Sequence, residues 1–319
     1  MKARHFPYAL AFLLMAATAC QSRCPEREEI VCETYTHRYG VPLPPDEWED
    51  RGQHGQVVST RRDGVVVSKT YEAGILHGET TYSFPHRDVT QHKQMYEQGT
   101  LTQEWFYYPN GMPQQQIIYE APGKQTLVVW YEGGAPQCKE EYENSYLVRG
   151  EYYNPSNLEE SRVEDQNGLR TRRDAYGQLQ SVDEIRNGKM VLRTTYHPNG
   201  APATMTPYAN NVIEGQRRTY YLGGEPATVE EWTNNCQHGN TVVFENGEKC
   251  ADISYVKGRR QGMERRYRDN GQTLVQEVTW VQGKRHGPCY SYIGNTTQTD
   301  WFFQDRKVNK ATFDALSNQ

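Results

Sequence analysis

The sequence predicts an all-β chain, an elongated array of antiparallel β-hairpins, and three observations carry that prediction. The first is spacing. Gly215, Gly239, Gly262 and Gly287 lie 24, 23 and 25 residues apart, and Gly177, Gly200, Gly224, Gly247, Gly271 and Gly294 follow at 23, 24, 23, 24 and 23. Internal repeats of this length build stacked arrays in which each unit contacts its neighbours, rather than one globular core. The second is alternation: Lys249, Ala251, Ile253 and Tyr255 interleave with Glu248, Cys250, Asp252 and Ser254, the period-two pattern of a half-buried strand. The third is turn chemistry. Asn246-Gly247 joins that run to Thr241–Glu245, and Asn-Gly between two such runs is the strongest short hairpin signal. Pro109-Asn110-Gly111 and Pro198-Asn199-Gly200 supply Pro for the first central position of a type I turn and Gly for the left-handed residue after it.

From the N-terminus, Met1 to Ala19 carries Lys2 and Arg4, an apolar core from Phe6 to Ala17 and small residues before Cys20. That is an export signal rather than a spanning helix. The end Ala17-Thr18-Ala19-Cys20 resembles a bacterial lipobox, which implies a lipidated Cys20 and a membrane anchor. It also fits ordinary signal cleavage, so the alternative is a secreted or periplasmic chain. Gln21 stands where the lipoprotein family's inner-membrane retention signal has Asp, and the expected address is the outer membrane. Residues 20–52, with Pro42, Pro44 and Pro45, mixed charges and no clear alternation, read as a tether.

The repeats span 53–305, in about ten hairpins. Their continuity overrides the prior of about two domains that the length suggests. Two copies, Phe84–Asp88 and Asn154–Asn157, lack the turn glycine and read as degenerate. If 109–111, 198–200 and 222–224 are three-residue loops, Tyr107, Tyr196 and Tyr220 sit opposite Pro113, Pro202 and Pro226. Tyr119, Tyr208 and Trp232 then lie an even number of residues further on. Two-residue loops at 246–247 and 270–271 relate Phe244 to Tyr255 and Tyr267 to Trp280 in the same way. The parity therefore predicts both aromatics of each hairpin on one face, and the prolines, which cannot donate to a ladder, at bulged or non-bonded positions. Residues 306–319 read as a C-terminal cap or tail, with a short helix over Ala311–Leu316 covering the exposed edge.

Composition agrees with an ordered, exported sheet. Only 36% of residues are hydrophobic, but 12% are aromatic, including 23 Tyr and 6 Trp, which argues against disorder. The formal charge of −5 becomes −7 once Lys2 and Arg4 are removed, so nucleic acid is a poor partner by charge. Of seven cysteines, six remain if Cys20 is acylated. Cys24 with Cys32 is the simplest disulfide, and the full connectivity stays open.

The runs Tyr71–Gly78 (YEAGILHG), Tyr255–Gly262 (YVKGRRQG) and Trp280–Gly287 (WVQGKRHG), followed by Tyr82 or by Tyr267 with Asn270-Gly271, resemble the MORN-variant repeat. The resemblance covers roughly residues 54–303. Bacterial proteins of this kind are grouped as the YwqK-type antitoxin family. The resemblance implies a hairpin array with an interaction function and brings no catalytic residues.

The residues themselves offer little chemistry. His54, His77, His238 and His286 precede a repeat glycine, but Gln261, Glu214 and Arg149 fill the same slot, so these are polar turn positions rather than a metal ladder. The pairs Glu140-Glu141, Glu159-Glu160 and Glu230-Glu231 would point to opposite faces of a strand and read as solvated surface. Neither a Gly-x-Ser-x-Gly elbow nor a phosphate-binding glycine loop occurs. The aromatics Tyr107, Trp130, Tyr196, Tyr220, Trp232, Tyr267 and Trp280 read as the packing face of a thin sheet, or as an exposed row that binds glycans or peptides. The expected function is a non-enzymatic, membrane-tethered scaffold with a protein partner and no cofactor. The alternatives are an antitoxin-like immunity protein and a cell-envelope glycan binder.

Overall fold

The computed structural model describes residues 30–318, so Met1–Ala19, Cys20 and Cys24 lie outside the described residues. Within them, 27 strands form an antiparallel sheet in which successive strands of the chain pair with one another. The predicted hairpin array is therefore present, and its turns line two opposite edges.

Along one edge run three-residue loops. Tyr108 N–H donates to Met112 O at 2.8 Å and Gly111 N–H to Tyr108 O at 2.9 Å, with Gly111 at φ +84°. His197–Ala201 and Tyr221–Glu225 repeat this arrangement around Gly200 and Gly224. The copy at Asn154 keeps the turn without glycine. Asn157 takes the left-handed position at φ +60°, and Asn154 Oδ1 accepts from Ser156 and Leu158 N–H. The two-residue loop at Asn246-Gly247 is as predicted. At Gly271 the expectation fails: Arg268 pairs with Thr273, leaving a four-residue loop.

Along the other edge run two-residue turns such as Ala73-Gly74 and Gln98-Gly99, with both residues at positive φ (50° and 76°, 48° and 78°). That is the hairpin turn whose twist matches the strands. Each edge also ties one repeat to the next. Tyr108 Oη donates to Trp130 O at 2.9 Å, Tyr131 Oη to Tyr153 O at 2.6 Å and Tyr221 Oη to Phe244 O at 3.0 Å. On the opposite side Gly99, Gly258 and Gly283 N–H each donate at 2.8 Å to a carbonyl of the preceding repeat. Tyr131→Phe removes one such tie and is expected to cost about 1 kcal/mol, read from urea unfolding; a change below about 0.3 kcal/mol would mean the tie is redundant.

The aromatic parity inferred above is wrong, for one recurring reason. Tyr107 pairs with Pro113 as expected, but Phe106 pairs with Gln115, so one extra residue is inserted after the turn. The same slip follows Tyr196, Tyr220, Phe244 and Tyr267. A bulge of one residue moves everything beyond it to the opposite face. Tyr119 thus joins Phe106, and its Oη reaches Glu104 Oε2 at 2.8 Å, while Tyr107 lies beside Trp105 on the other side. The prolines do sit at these bulged positions.

The register consequently gives two aromatic rows, on opposite faces and near opposite edges. One face, here the core face, carries the most buried side chains, including Val67, Tyr152, Val163, Ile185, Asp183 and Glu264. It explains the repeat motif. Gly55, Gly78, Gly215, Gly239, Gly262 and Gly287 pair directly opposite Tyr71, Tyr96, Trp232, Tyr255, Trp280 and Phe302. A glycine without a side chain leaves room for a cross-strand ring to lie over its backbone.

Both ends differ from expectation. Residues 30–52, read as tether, belong to the folded body: Ile30–His37 pairs with Gly55–Arg61. Helix Pro45–Asp50 opens with Pro at its first turn and Asp46 and Glu47 at its positive end, a favourable start. Its Trp48 is buried, 5.6 Å from the Tyr35 ring and 6.3 Å from that of Tyr71. At the C-terminus the chain adds an unpredicted strand, Arg306–Val308, and the expected helix, Lys310–Ser317. Asn309 caps that helix by accepting from Thr312 N–H, and Phe313 packs 5.0 Å from Trp301 and 5.3 Å from His286.

Candidate binding faces

The core face is pinned at mid-sheet by charge. Arg170 pairs across the ladder with Asp183, and Asp183 with Arg193. Asp183 is fully buried and accepts from Arg170 Nη2 at 2.8 Å and Nε at 3.1 Å, and from Arg193 Nε at 2.7 Å and Nη2 at 2.9 Å. Burial pushes its carboxyl up, but the bonds and charge of Arg193 and Arg170 outweigh this and hold it below the usual range. Glu140 lies nearby at 3% exposure, accepting from Tyr142 Oη at 2.6 Å and Tyr152 Oη at 2.8 Å. Tyr152 reaches it by folding back over Gly150, where a Cβ would stand 2.4 Å from its hydroxyl. Burial, and then the Glu140 charge, raise both phenols. Asp183 held ionised and two tyrosines held neutral form a satisfied network that fixes register, not an acid–base pair poised near neutrality.

The surface reading of the acidic pairs is therefore corrected at Glu140. Glu141 does face the other way, 3.0 Å from Lys139. Glu230 is half-buried on the core face, accepting from Trp232 Nε1 at 2.8 Å and Arg217 at 3.1 Å. Nothing in a run of Glu-Glu distinguishes a core-facing carboxylate from a solvated one; Glu230 pairs across the ladder with Arg217, whereas Glu140 pairs with Gly150 and Leu127.

Two of the four turn histidines, His54 and His77, take the polar turn role expected of them. His54 and His77 Nδ1 accept from Ala73 and Gln98 N–H, and Glu214 and Gln261 do the same for Asn234 and Gln282. His286 departs from this, packing on Phe303 and Phe313. Among the described residues no group of three or more His, Cys, Asp or Glu is placed to hold a metal ion. None of the five described cysteines is bonded to another described one, and Cys24, the expected partner of the exposed Cys32, lies outside the described residues.

The outer aromatic row is half-buried throughout, and the core-face row is half-buried except at Phe302, which is buried. On the outer face Tyr107, Trp130, Tyr153, Tyr196, Tyr220, Phe244, Tyr267 and Tyr292 are half-buried. Trp105 stacks within 13° on Trp130 at 5.7 Å and within 16° on Tyr107 at 6.3 Å, with Lys93 Nζ 5.9 Å above it. On the core face Arg217, Arg260 and Arg285 lie over Trp232, Trp280 and Phe302 at 5.6, 4.8 and 4.3 Å. Trp232 and Trp280 are half-buried under these cations, while Phe302 is buried.

Glu104 carries a pH dependence. The His92 contact at 3.3 Å, opposed by burial and helped by Gln94 and Tyr119, holds its carboxyl at about 2, against an ordinary 4.5. A lowered folded-state pKa gives stability that is complete above about 4.5 and is lost as pH falls toward about 2. Glu104→Gln is expected to flatten that part of the acid-unfolding curve; an unchanged slope would show that Glu104 contributes nothing to it.

No family model matches the chain, and no curated protein matches it. No helix among the described residues is long and apolar enough to cross a membrane.

Proposed function

We propose that this protein is a non-enzymatic interaction scaffold of the MORN-variant kind, held at the cell envelope by a lipid on Cys20. The supporting observation is the pair of half-buried aromatic rows, one on each face of a single continuous sheet. A sheet stabilised by neighbouring hairpins presents repeated side chains at strand spacing, roughly 4.8 Å, which suits a long partner surface. Partly exposed Trp and Tyr with Arg and Lys above them are the residue types that anchor interfaces.

Crosslinking in the native cell followed by partner identification tests this reading. One recurrent protein partner supports it, and a toxin as that partner narrows it to an immunity role. Retention on peptidoglycan with no protein partner replaces it with the glycan-binding reading. Turnover of a small substrate by purified protein overturns it. For the anchor, Cys20→Ser is expected to release the chain into the soluble fraction and abolish uptake of labelled fatty acid.

A further inference from the structure

Between Lys257 and Lys310 the chain carries eleven Lys and Arg against five Asp and Glu, although its net charge is −5. Seven of these cations have a carboxylate within 4 Å. The other four, Lys257, Arg259, Lys284 and Arg306, have none among the described residues, and all four are exposed. They belong to three successive two-residue turns along one edge. Tyr255, Trp280 and Phe302 lie on the core face, so the residues that follow them turn outward. The turn-closing pairs Val256–Arg259, Val281–Lys284 and Phe303–Arg306 therefore form one row on the outer face, each with a cation beside an apolar side chain. The equivalent pairs nearer the N-terminus hold Glu72, Glu97, Glu143 and Glu164, so the turns themselves do not require cations.

Beside this row opens a hollow of about 290 Å³ lined by Arg259, Val281, Gln282, Lys284, His286 and Gln304, with no carboxylate in its lining. Asp305, in the adjoining turn, is engaged by Arg285 N–H at 3.0 Å and Nε at 3.3 Å. We propose that the row and its hollow dock an acidic, extended peptide segment of a protein partner, an inference that rests on the scaffold reading above. Charge complementarity selects the class of ligand. Cations without internal partners favour carboxylates, and Arg259 offers the fork that holds one with two hydrogen bonds. Gln282 and Gln304 can donate to and accept from a peptide backbone, and Val256 and Val281, 43% and 39% exposed, give apolar contact between the charges. Spacing selects the form. Successive hairpins place Arg259, Lys284 and Arg306 roughly 10 Å apart. A polyproline II segment rises about 3.1 Å per residue with three residues per turn, so a carboxylate at every third position meets each cation from one side.

The test titrates a dye-labelled Glu-Pro-Pro repeat peptide against the full chain in mild detergent, read by fluorescence anisotropy. Binding is expected, weakening as salt is raised, and the Gln-Pro-Pro peptide should not bind. Arg259→Glu with Lys284→Glu is expected to weaken binding about tenfold or more with an unchanged dichroism spectrum. If that pair misfolds, Arg259→Gln with Lys284→Gln serves instead. Lys139→Glu with Arg149→Glu, the same change in charge at cations that pair with Glu141 on the same face, should leave binding as it is. No binding, binding that ignores the Arg259 and Lys284 changes, or displacement of the peptide by inorganic phosphate or glycerol phosphate at matching concentration would each overturn the proposal, the last by assigning the hollow to phosphate. A partner still captured in cells by the charge-reversed chain would sink this site and leave the scaffold reading standing.

Discussion

Asp183→Ala is expected to destabilise the chain by about 3–5 kcal/mol, because it strands the buried Arg170 without its carboxylate and takes the same partner from the half-buried Arg193. Arg170 has 10% of its side chain exposed and Asp183 none, so water cannot replace what is lost. Asp183→Asn keeps the shape but not the charge and should fall between. A triple variant with Leu at 183 and Met at 170 and 193 should recover much of the loss, since well-packed apolar side chains commonly match a buried ionic cluster. Urea unfolding measures all three. A cost under about 1 kcal/mol for Asp183→Ala would mean that the cluster is hydrated and that its burial is not holding the sheet together.

Gly168→Ala should cost about 2–5 kcal/mol, the sum of overpacking and backbone strain. Gly168 sits at φ +147°, and a Cβ there would stand 2.1 Å from Arg162 O and 2.9 Å from Val163 Cα. Both obstacles are backbone, so no rotamer change relieves them. Gly200→Ala is the control: at φ +84° nothing lies within 4 Å, and only the left-handed conformation is penalised, by about 1–2 kcal/mol. Hydrogen exchange should localise the damage to the hairpin Glu159–Arg173 and its neighbours, leaving amides after Gly239 protected. Equal costs for the two glycines would refute the clash argument.

Period, turn chemistry and strand existence were legible because each rests on local rules that recur in every copy. What defeated the reading was a single inserted residue per hairpin. Pro113, Pro202 and Pro226 announced the bulges, but parity counting treated the strand beyond them as continuous, so one expected aromatic face became two. The N-terminal strand was missed because prolines and mixed charges at 42–50 suggest a linker. Its order comes from Trp48 packing on Tyr35 and Tyr71, one of them in the first repeats. The buried Asp183 cluster falls in a copy where Ile185 stands in for the aromatic opposite the repeat glycine Gly168, and Arg170 with Asp183 fills the place that Arg217 with Glu230 fills elsewhere. A motif search discards such copies, although they carry the most buried charge.

The ties between adjacent turns bear on how the chain would fold under the export proposed for it. Among the described residues the hydrogen bond from Gln137 to Asp174 spans 37 positions, and turn-to-turn ties such as those of Tyr131, Tyr221 and Asn234 span 20 to 23. Closing loops of that size carries little entropic penalty, and structures rich in near-sequence pairings form quickly. A segment emerging on the far side of a membrane would therefore have every partner it requires once one further hairpin has followed it. Its C-terminal half need not exist in folded form for the N-terminal half to set, and folding can keep pace with vectorial delivery rather than waiting for the whole polypeptide.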